Sequence, residues 1–130
     1  MIGIDTNILL RLFETDEDPK QSAAARRTIE EQAPVFISPV VLVEFTWTLR
    51  RIFKIHRAGI HERLAGIVDA PEFAVAFPNE TRRAVELYGI GPADFPDYLV
   101  GELNLALGCE ATLTFDRDAA KNPGFRHLAA

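Results

Sequence analysis

Apolar residues along this chain form short runs that alternate with longer stretches of mixed polarity. The runs predict strands at residues 1–4, 35–37, about 73–76 and 111–115. The mixed stretches predict helices that start at Thr6 and that cover, approximately, residues 19–32, 39–53, 60–69, 79–89 and 94–108. Short apolar strands alternating with helices are typical of an α/β fold with a mainly parallel sheet.

The predicted helix 39–53 is the most apolar segment of the chain. Ser38 and Pro39 provide an N-cap and a first-turn proline, and apolar residues then occupy almost every side of the helix. Such a helix is expected to be buried on more than one side, in a core or a subunit interface. It also carries Glu44, whose ionised carboxylate is costly in apolar surroundings unless it is paired or bound to a metal.

Composition places the chain among ordinary globular proteins. Its 130 residues are 48% hydrophobic and 25% charged, and they show no repeat or linker, so we expect one domain over 1–130. Cys109 is the only cysteine, no apolar run approaches a membrane span, and the N-terminus does not resemble a signal peptide. We therefore expect a cytoplasmic protein that has no membrane association.

Four acidic residues lie where a parallel α/β sheet binds its ligands. Asp5 and Asp116 each follow a predicted strand, and ligands of such sheets bind at the carboxyl ends of the strands. Asp97 lies in the first turn of a predicted helix, and Glu44 is the fourth acid. If these carboxylates converge, a Mg²⁺ or Mn²⁺ ion would relieve their repulsion, lower the pKa of water and stabilise charge on a phosphodiester.

Each of these acids also has a structural interpretation that the sequence leaves open. Asp5 and Asp94 are both placed to cap a following helix. Asp97 occupies a first helical turn, where acids are common, and Asp116 is placed like an ordinary turn aspartate. The single residues therefore do not separate a metal centre from a set of caps and turns.

The net charge of −5 does not by itself favour nucleic acid as a ligand. Locally, however, residues 50–63 hold five basic residues against one acid, Glu62. Our candidates for contacts to an RNA backbone are Arg50, Arg51, Lys54 and Arg57. The alternative interpretation is a solvated helix face.

Four segments together resemble the PIN-domain ribonucleases, in particular the VapC-type toxins of bacterial toxin–antitoxin pairs. They read IGIDTNILLRLF, VFISPVVLVEFTWTLRR, ADFPDYLVGELNLALGC and TLTFDRDA, and they run over nearly the whole chain. The resemblance implies a three-layer fold in which helices flank a mainly parallel sheet of about five strands. The chain departs from the family pattern at Tyr98, because the family usually has a small residue directly after the aspartate that corresponds to Asp97.

The resemblance also assigns roles to individual residues. It implies that the catalytic acids are Asp5, Glu44, Asp97 and Asp116, with Asp5, Asp97 and Asp116 as metal ligands. The residues expected to support them are Thr6, Asn7, Asp94, Thr114 and Asp118. The implied cofactor is Mg²⁺ or Mn²⁺.

As a function, the resemblance implies a metal-dependent endoribonuclease that acts as the toxin of a type II toxin–antitoxin system. The expected partners are an RNA substrate, a small antitoxin protein and a second copy of the chain, packed against helix 39–53. Two alternatives remain: a non-catalytic, degenerate PIN-like scaffold and a phosphatase-like α/β hydrolase. An aspartyl-nucleophile phosphatase needs a second aspartate two residues after the first, where this chain has Asn7.

Overall fold

A computed structural model describes all 130 residues, which divide into two compact units, residues 1–76 and 77–130. Each unit holds helices and a pair of parallel strands. The single domain over 1–130 stays a prediction. No helix combines the length and the apolar character that spanning a bilayer requires.

The first unit contains four helices and two strands. They are α1 (Thr6–Phe13), α2 (Pro19–Gln32), β1 (Val35–Ile37), α3 (Pro39–Arg51), α4 (Arg57–Asp69) and β2 (Phe73–Val75). Strands β1 and β2 pair in parallel, and Gly3 forms a parallel bridge to Phe36. The amide of Ile4 donates to the carbonyl of Phe36 at 3.0 Å, so the predicted first strand is reduced to this bridge.

Local capping positions the helices that follow the strands. The side chain of Asp5 accepts a hydrogen bond from the amide of Ile8 at 3.0 Å and caps α1. Ser38 accepts one from the amide of Val41 at 3.3 Å, which confirms the predicted N-cap of α3 directly after β1. Both caps satisfy backbone donors that the first helical turn leaves without partners.

Helix α3 has one buried side and one exposed side. Its buried side chains, among them Phe45 and Leu49, belong to a core that also includes residues of β1 and α4. On the other side Val40 is 67% exposed and Trp47 is 56% exposed. The unit itself therefore buries one side of the helix, and burial of the other side in a subunit interface stays a prediction.

An ion pair joins the end of α1 to α4. The Nε atom of Arg63 donates to Oε1 of Glu14 at 2.8 Å, and its Nη1 donates to the carbonyl of Gly59 at 3.0 Å. The two side chains are only 24% and 18% exposed, so this pair is better shielded from solvent than an ordinary surface pair. Arg63 therefore has a structural role within the basic segment 50–63.

The second unit contains α5 (Pro78–Ile90), α6 (Phe95–Ala106), β3 (Thr112–Thr114), a 3₁₀ turn (Ala119–Lys121) and β4 (Phe125–His127). Helices α5 and α6 pack together, and β3 pairs in parallel with β4. Gly108 has a φ of +91°, the left-handed conformation with which glycine commonly ends a helix, and it follows α6. The 3₁₀ turn and β4 had no counterpart in the sequence pattern.

These elements confirm an α/β fold with parallel strands. The strand count is smaller than the expected five: four strands of three residues each form two separate pairs, and Gly3 adds an isolated bridge. Strands this short supply few apolar positions, so their number and their pairing are hard to obtain from a sequence pattern.

Candidate active site

In the first unit, the turn between Gly3 and α1 presents an exposed carboxylate. Asp5 follows the bridge residue Gly3 and is exposed, and one of its oxygens caps α1. The capping interpretation of Asp5 is thus confirmed. It does not exclude a functional role, because a carboxylate has two oxygens and about four acceptor sites.

Glu44 is brought to the same turn by α3. The hydroxyl of Thr6 donates to Oε1 of Glu44 at 2.8 Å, so two residues 38 positions apart in sequence are in direct contact. Glu44 is exposed on α3. The expected cost of burying this carboxylate is therefore wrong for Glu44, which lies beside the Asp5–Thr6 turn, and its catalytic role stays a prediction.

A polar network that the sequence analysis missed lies beside this turn. The side-chain Nδ2 of Asn7 donates to Oε1 of Gln21 at 3.4 Å. The Nε atom of Arg11 donates to the same oxygen at 3.1 Å. Arg11 also reaches Oδ1 of Asn7 at 3.5 Å and Glu17 at 3.5 Å, while its side chain is only 13% exposed. The one available signal was the spacing of Asn7 and Arg11, four residues apart on a helix.

In the second unit, Asp97 lies in the first turn of α6 and is partly buried. Burial raises the pKa of this carboxyl above its ordinary value, and repulsion from Asp94 and Asp116 raises it further, while a hydrogen bond with the backbone of Asp94 offsets part of the rise. Asp94 occupies the N-cap position as predicted, but its side chain makes no capping hydrogen bond. The carboxyl groups of Asp97 and Asp116 are therefore close enough to repel each other.

Asp116 is held by a turn directly after β3. Its backbone amide donates to the hydroxyl oxygen of Thr114 at 3.0 Å, and its Oδ1 accepts from the amide of Asp118 at 2.8 Å. The side chain of Asp118 pairs with Lys121 at 3.2 Å. Thr114 thus fixes the backbone of Asp116, and Asp118 is a turn residue whose carboxylate faces a lysine.

Each unit by itself supplies two of the four predicted acids, Asp5 and Glu44 in the first, Asp97 and Asp116 in the second. Neither unit alone holds three His, Cys, Asp or Glu side chains arranged to bind a metal ion. The donors are all carboxylates, with hydroxyls of Thr6 and Thr114 beside them. Oxygen donors of this kind fit Mg²⁺ or Mn²⁺.

The candidate RNA-binding residues lie at the end of α3 and just after it. Arg51 approaches the ring of Trp47, with its guanidinium carbon 6.0 Å from the ring centroid. Lys54 is exposed and has a φ of +58° at the turn that follows the helix. Arg50 and Arg57 belong to the same segment.

A known protein family extends over nearly the whole chain. The family model described as PIN domain matches residues 2–124, which include Asp5, Glu44, Asp97 and Asp116 and extend over both units. The chain belongs to the PIN domain family. No curated protein matches it. PIN domains are in general nucleases that depend on divalent cations such as Mg²⁺, so the family indicates a metal-dependent nuclease.

The raised pKa of Asp97 in this PIN domain leads to a prediction about stability. A carboxyl whose pKa is higher in the folded state destabilises that state when it ionises, and the penalty grows as the pH rises from the ordinary value through the raised pKa. Asp97→Asn should therefore increase the free energy of unfolding at pH 7 in EDTA. The gain should shrink as the pH falls towards and below 4, because the carboxyl of the wild type is then increasingly protonated in both the folded and the unfolded state.

Urea denaturation of the wild type and of Asp97→Asn between pH 4 and pH 7 measures this difference. Glu110→Gln is the matched control, since it removes one negative charge of the same unit from a side chain that is 88% exposed. A difference that is independent of pH, or equal in the two variants, would show that Asp97 is not held in an unfavourable environment.

Proposed function

We propose that this PIN domain is a metal-dependent endoribonuclease whose catalytic acids are Asp5, Glu44, Asp97 and Asp116. Asp5, Asp97 and Asp116 are the proposed ligands of Mg²⁺ or Mn²⁺. The observation that carries the proposal is the PIN domain match over residues 2–124, which extends over all four acids. Burial of Asp97 and its repulsion from Asp94 and Asp116, which raise the pKa of its carboxyl, support it. A bound cation would supply the missing positive charge.

The residues around the four acids have separable tasks in this proposal. A divalent cation, when bound, neutralises the acids and makes water a better nucleophile. Thr6 holds the carboxylate of Glu44 by its hydrogen bond, which leaves the second oxygen of Glu44 available to take a proton from water. Thr114 and the amide of Asp118 hold Asp116 in one orientation.

RNA is the proposed substrate because of the charges at the end of α3. Arg50, Arg51, Lys54 and Arg57 fall within eight residues that contain no acid, in a chain whose net charge is −5. Basic side chains that contact phosphates provide most of the affinity of such proteins for nucleic acid, and this affinity falls as salt rises.

The purified protein should cleave single-stranded RNA with Mg²⁺ or Mn²⁺ present, and should not do so in EDTA. If water attacks the phosphorus, the bond to the 3′ oxygen breaks and the products carry a 5′-phosphate and a 3′-hydroxyl. Mass spectrometry of the products tests this. Products that end in a 2′,3′-cyclic phosphate, or equal cleavage in EDTA, would contradict the mechanism.

We further propose that the nuclease acts as the toxin of a type II toxin–antitoxin pair. The support is the VapC-like pattern of the four segments, together with the exposed carboxylates of Asp5 and Glu44, which suit a basic peptide. The proposed partner is a small antitoxin whose Arg or Lys contacts these acids and competes with the metal.

Expression of the wild-type chain should slow the growth of its host, whereas Asp5→Asn, which lacks one proposed ligand, should be tolerated. Growth curves at matched protein levels provide the measurement. Equal growth of both strains would contradict the toxin role and leave the nuclease proposal standing.

A homodimer is part of the same proposal. The exposed apolar side chains of α3, such as Val40, offer surface to a second copy. Light scattering at micromolar concentration tests this, and a monomeric mass would rule the dimer out.

A further inference from the structure

The one tryptophan of the chain lies on the surface of α3. Trp47 is 56% exposed, although burying an aromatic ring of this size is ordinarily favourable. Arg51, one helical turn further on, lies over the ring at 6.0 Å from its centroid, within the range of a cation–π contact. Trp47 and Arg51 thus form an exposed pair, which we call the Trp47–Arg51 platform.

The platform shares a helix face with a proposed catalytic acid. Glu44, Trp47 and Arg51 are separated by three and four residues, which places them along one stripe of an α-helix, and all three are exposed. At a rise of 1.5 Å per residue, the stripe covers roughly 10 Å from Glu44 to Arg51. Lys54, also exposed, follows directly after the helix.

We propose that the Trp47–Arg51 platform stacks one base of single-stranded RNA and so guides the strand along α3 towards Glu44. This inference rests on the proposed ribonuclease function and names the form of RNA that the site takes. An exposed ring beside a cation is the combination that binds single strands without sequence preference, because every unpaired base offers a π-face and every nucleotide a phosphate. The bases of a duplex are already stacked on each other, so they are not free to bind this ring.

At the Trp47–Arg51 platform, charge favours RNA over a second copy of the chain, whereas Val40, offered above to the proposed dimer, lies about 10 Å nearer the N-terminus of α3. The end of α3 and the turn after it are locally basic, with Arg50, Arg51 and Lys54 in five residues. A two-fold axis through this face would bring the same cations of two copies together. A polyanion would instead be attracted to them.

The single tryptophan allows a direct test, because all indole fluorescence of the protein comes from Trp47. The wild-type protein is titrated with a single-stranded RNA 12-mer in EDTA, which keeps the RNA intact, and in parallel with a duplex of the same sequence. The single strand should quench the emission with saturation, and the duplex should do so much less.

Three variants identify the contact, with binding followed by the anisotropy of labelled RNA. Trp47→Ala should weaken binding by about 5- to 150-fold, and Trp47→Phe should keep most of the affinity. When the logarithm of the RNA-binding constant is plotted against the logarithm of salt concentration, the negative slope should be less steep by about 0.7 for Arg51→Gln than for the wild type. Ile52→Ala is the matched control: it removes an apolar side chain that is 60% exposed but lies off the stripe, and it should bind like the wild type.

The outcomes separate this inference from the proposed function. The platform would be overturned, and the ribonuclease left intact, by three results together. The wild type would cleave RNA with Mg²⁺, its emission would not be quenched by RNA, and Trp47→Ala would bind RNA as tightly as the wild type. Quenching without cleavage in any metal would support the platform and contradict the ribonuclease. A second copy would be identified as the occupant, and the inference overturned, by two results together. The emission of the wild type would shift to the blue as protein concentration rises, whether or not RNA is present, and Trp47→Ala would be monomeric.

Discussion

Asp5→Asn should lower the rate of RNA cleavage by about 10²- to 10³-fold and leave the stability of the fold unchanged. The loss follows because asparagine removes one charged ligand of the proposed metal centre, and interactions of this kind contribute roughly 3–4 kcal/mol to a barrier. Stability is kept because Oδ1 of asparagine can still accept the hydrogen bond from the amide of Ile8, at 3.0 Å in the wild type, and Asn caps helices as well as Asp.

Asp5→Ala provides the comparison that separates the two roles of this residue. It removes the ligand and the cap together, so it should lose activity to the same extent and also about 1 kcal/mol of stability. Cleavage assays and urea denaturation of both variants, with calorimetric titration of Mg²⁺, give the required values. Wild-type cleavage by Asp5→Asn would remove Asp5 from the proposed centre.

Phe45→Ala should cost about 3–5 kcal/mol of unfolding free energy, a large part of the 5–15 kcal/mol typical of a domain. Phe45 is 0% exposed, and its ring lies 5.5 Å from that of Phe13, so truncation loses apolar burial and leaves a cavity between α3 and α1. Because the preceding residue is Glu44, weakened packing of α3 should also disturb the contact between Thr6 and Glu44.

Val40→Ala is the control for this substitution. Val40 belongs to the same helix but is 67% exposed, so its truncation should change the stability by no more than about 0.5 kcal/mol. Urea denaturation of the two variants measures both effects. A loss below 1 kcal/mol for Phe45→Ala would mean that α3 does not pack on α1 in solution as it does here.

The positions of most helices could be predicted because their signals are local. Ser38–Pro39 and Asp18–Pro19 are start signals whose capping hydrogen bonds form within three residues, and both helices begin where the sequence predicts. The four acids could be proposed as a site for a similar reason: each stands in a short segment of the PIN-like pattern, and the family match extends over all four positions. Their joint role stays a prediction.

The sequence by itself thus determined the α/β class and most helix boundaries, and it supplied the residues that are proposed as the site. Only the tertiary structure decided which distant residues are in contact and how exposed each helix face is. The hydrogen bond from Thr6 to Glu44 joins residues 38 positions apart, and the hydrogen bonds of the partly buried Arg11 join α1 to α2. Trp47 belongs to a helix that the sequence predicts to be buried in a core or a subunit interface, and in the chain it is 56% exposed. Its exposure depends on which neighbours cover that face, and packing sets this rather than hydrophobic periodicity.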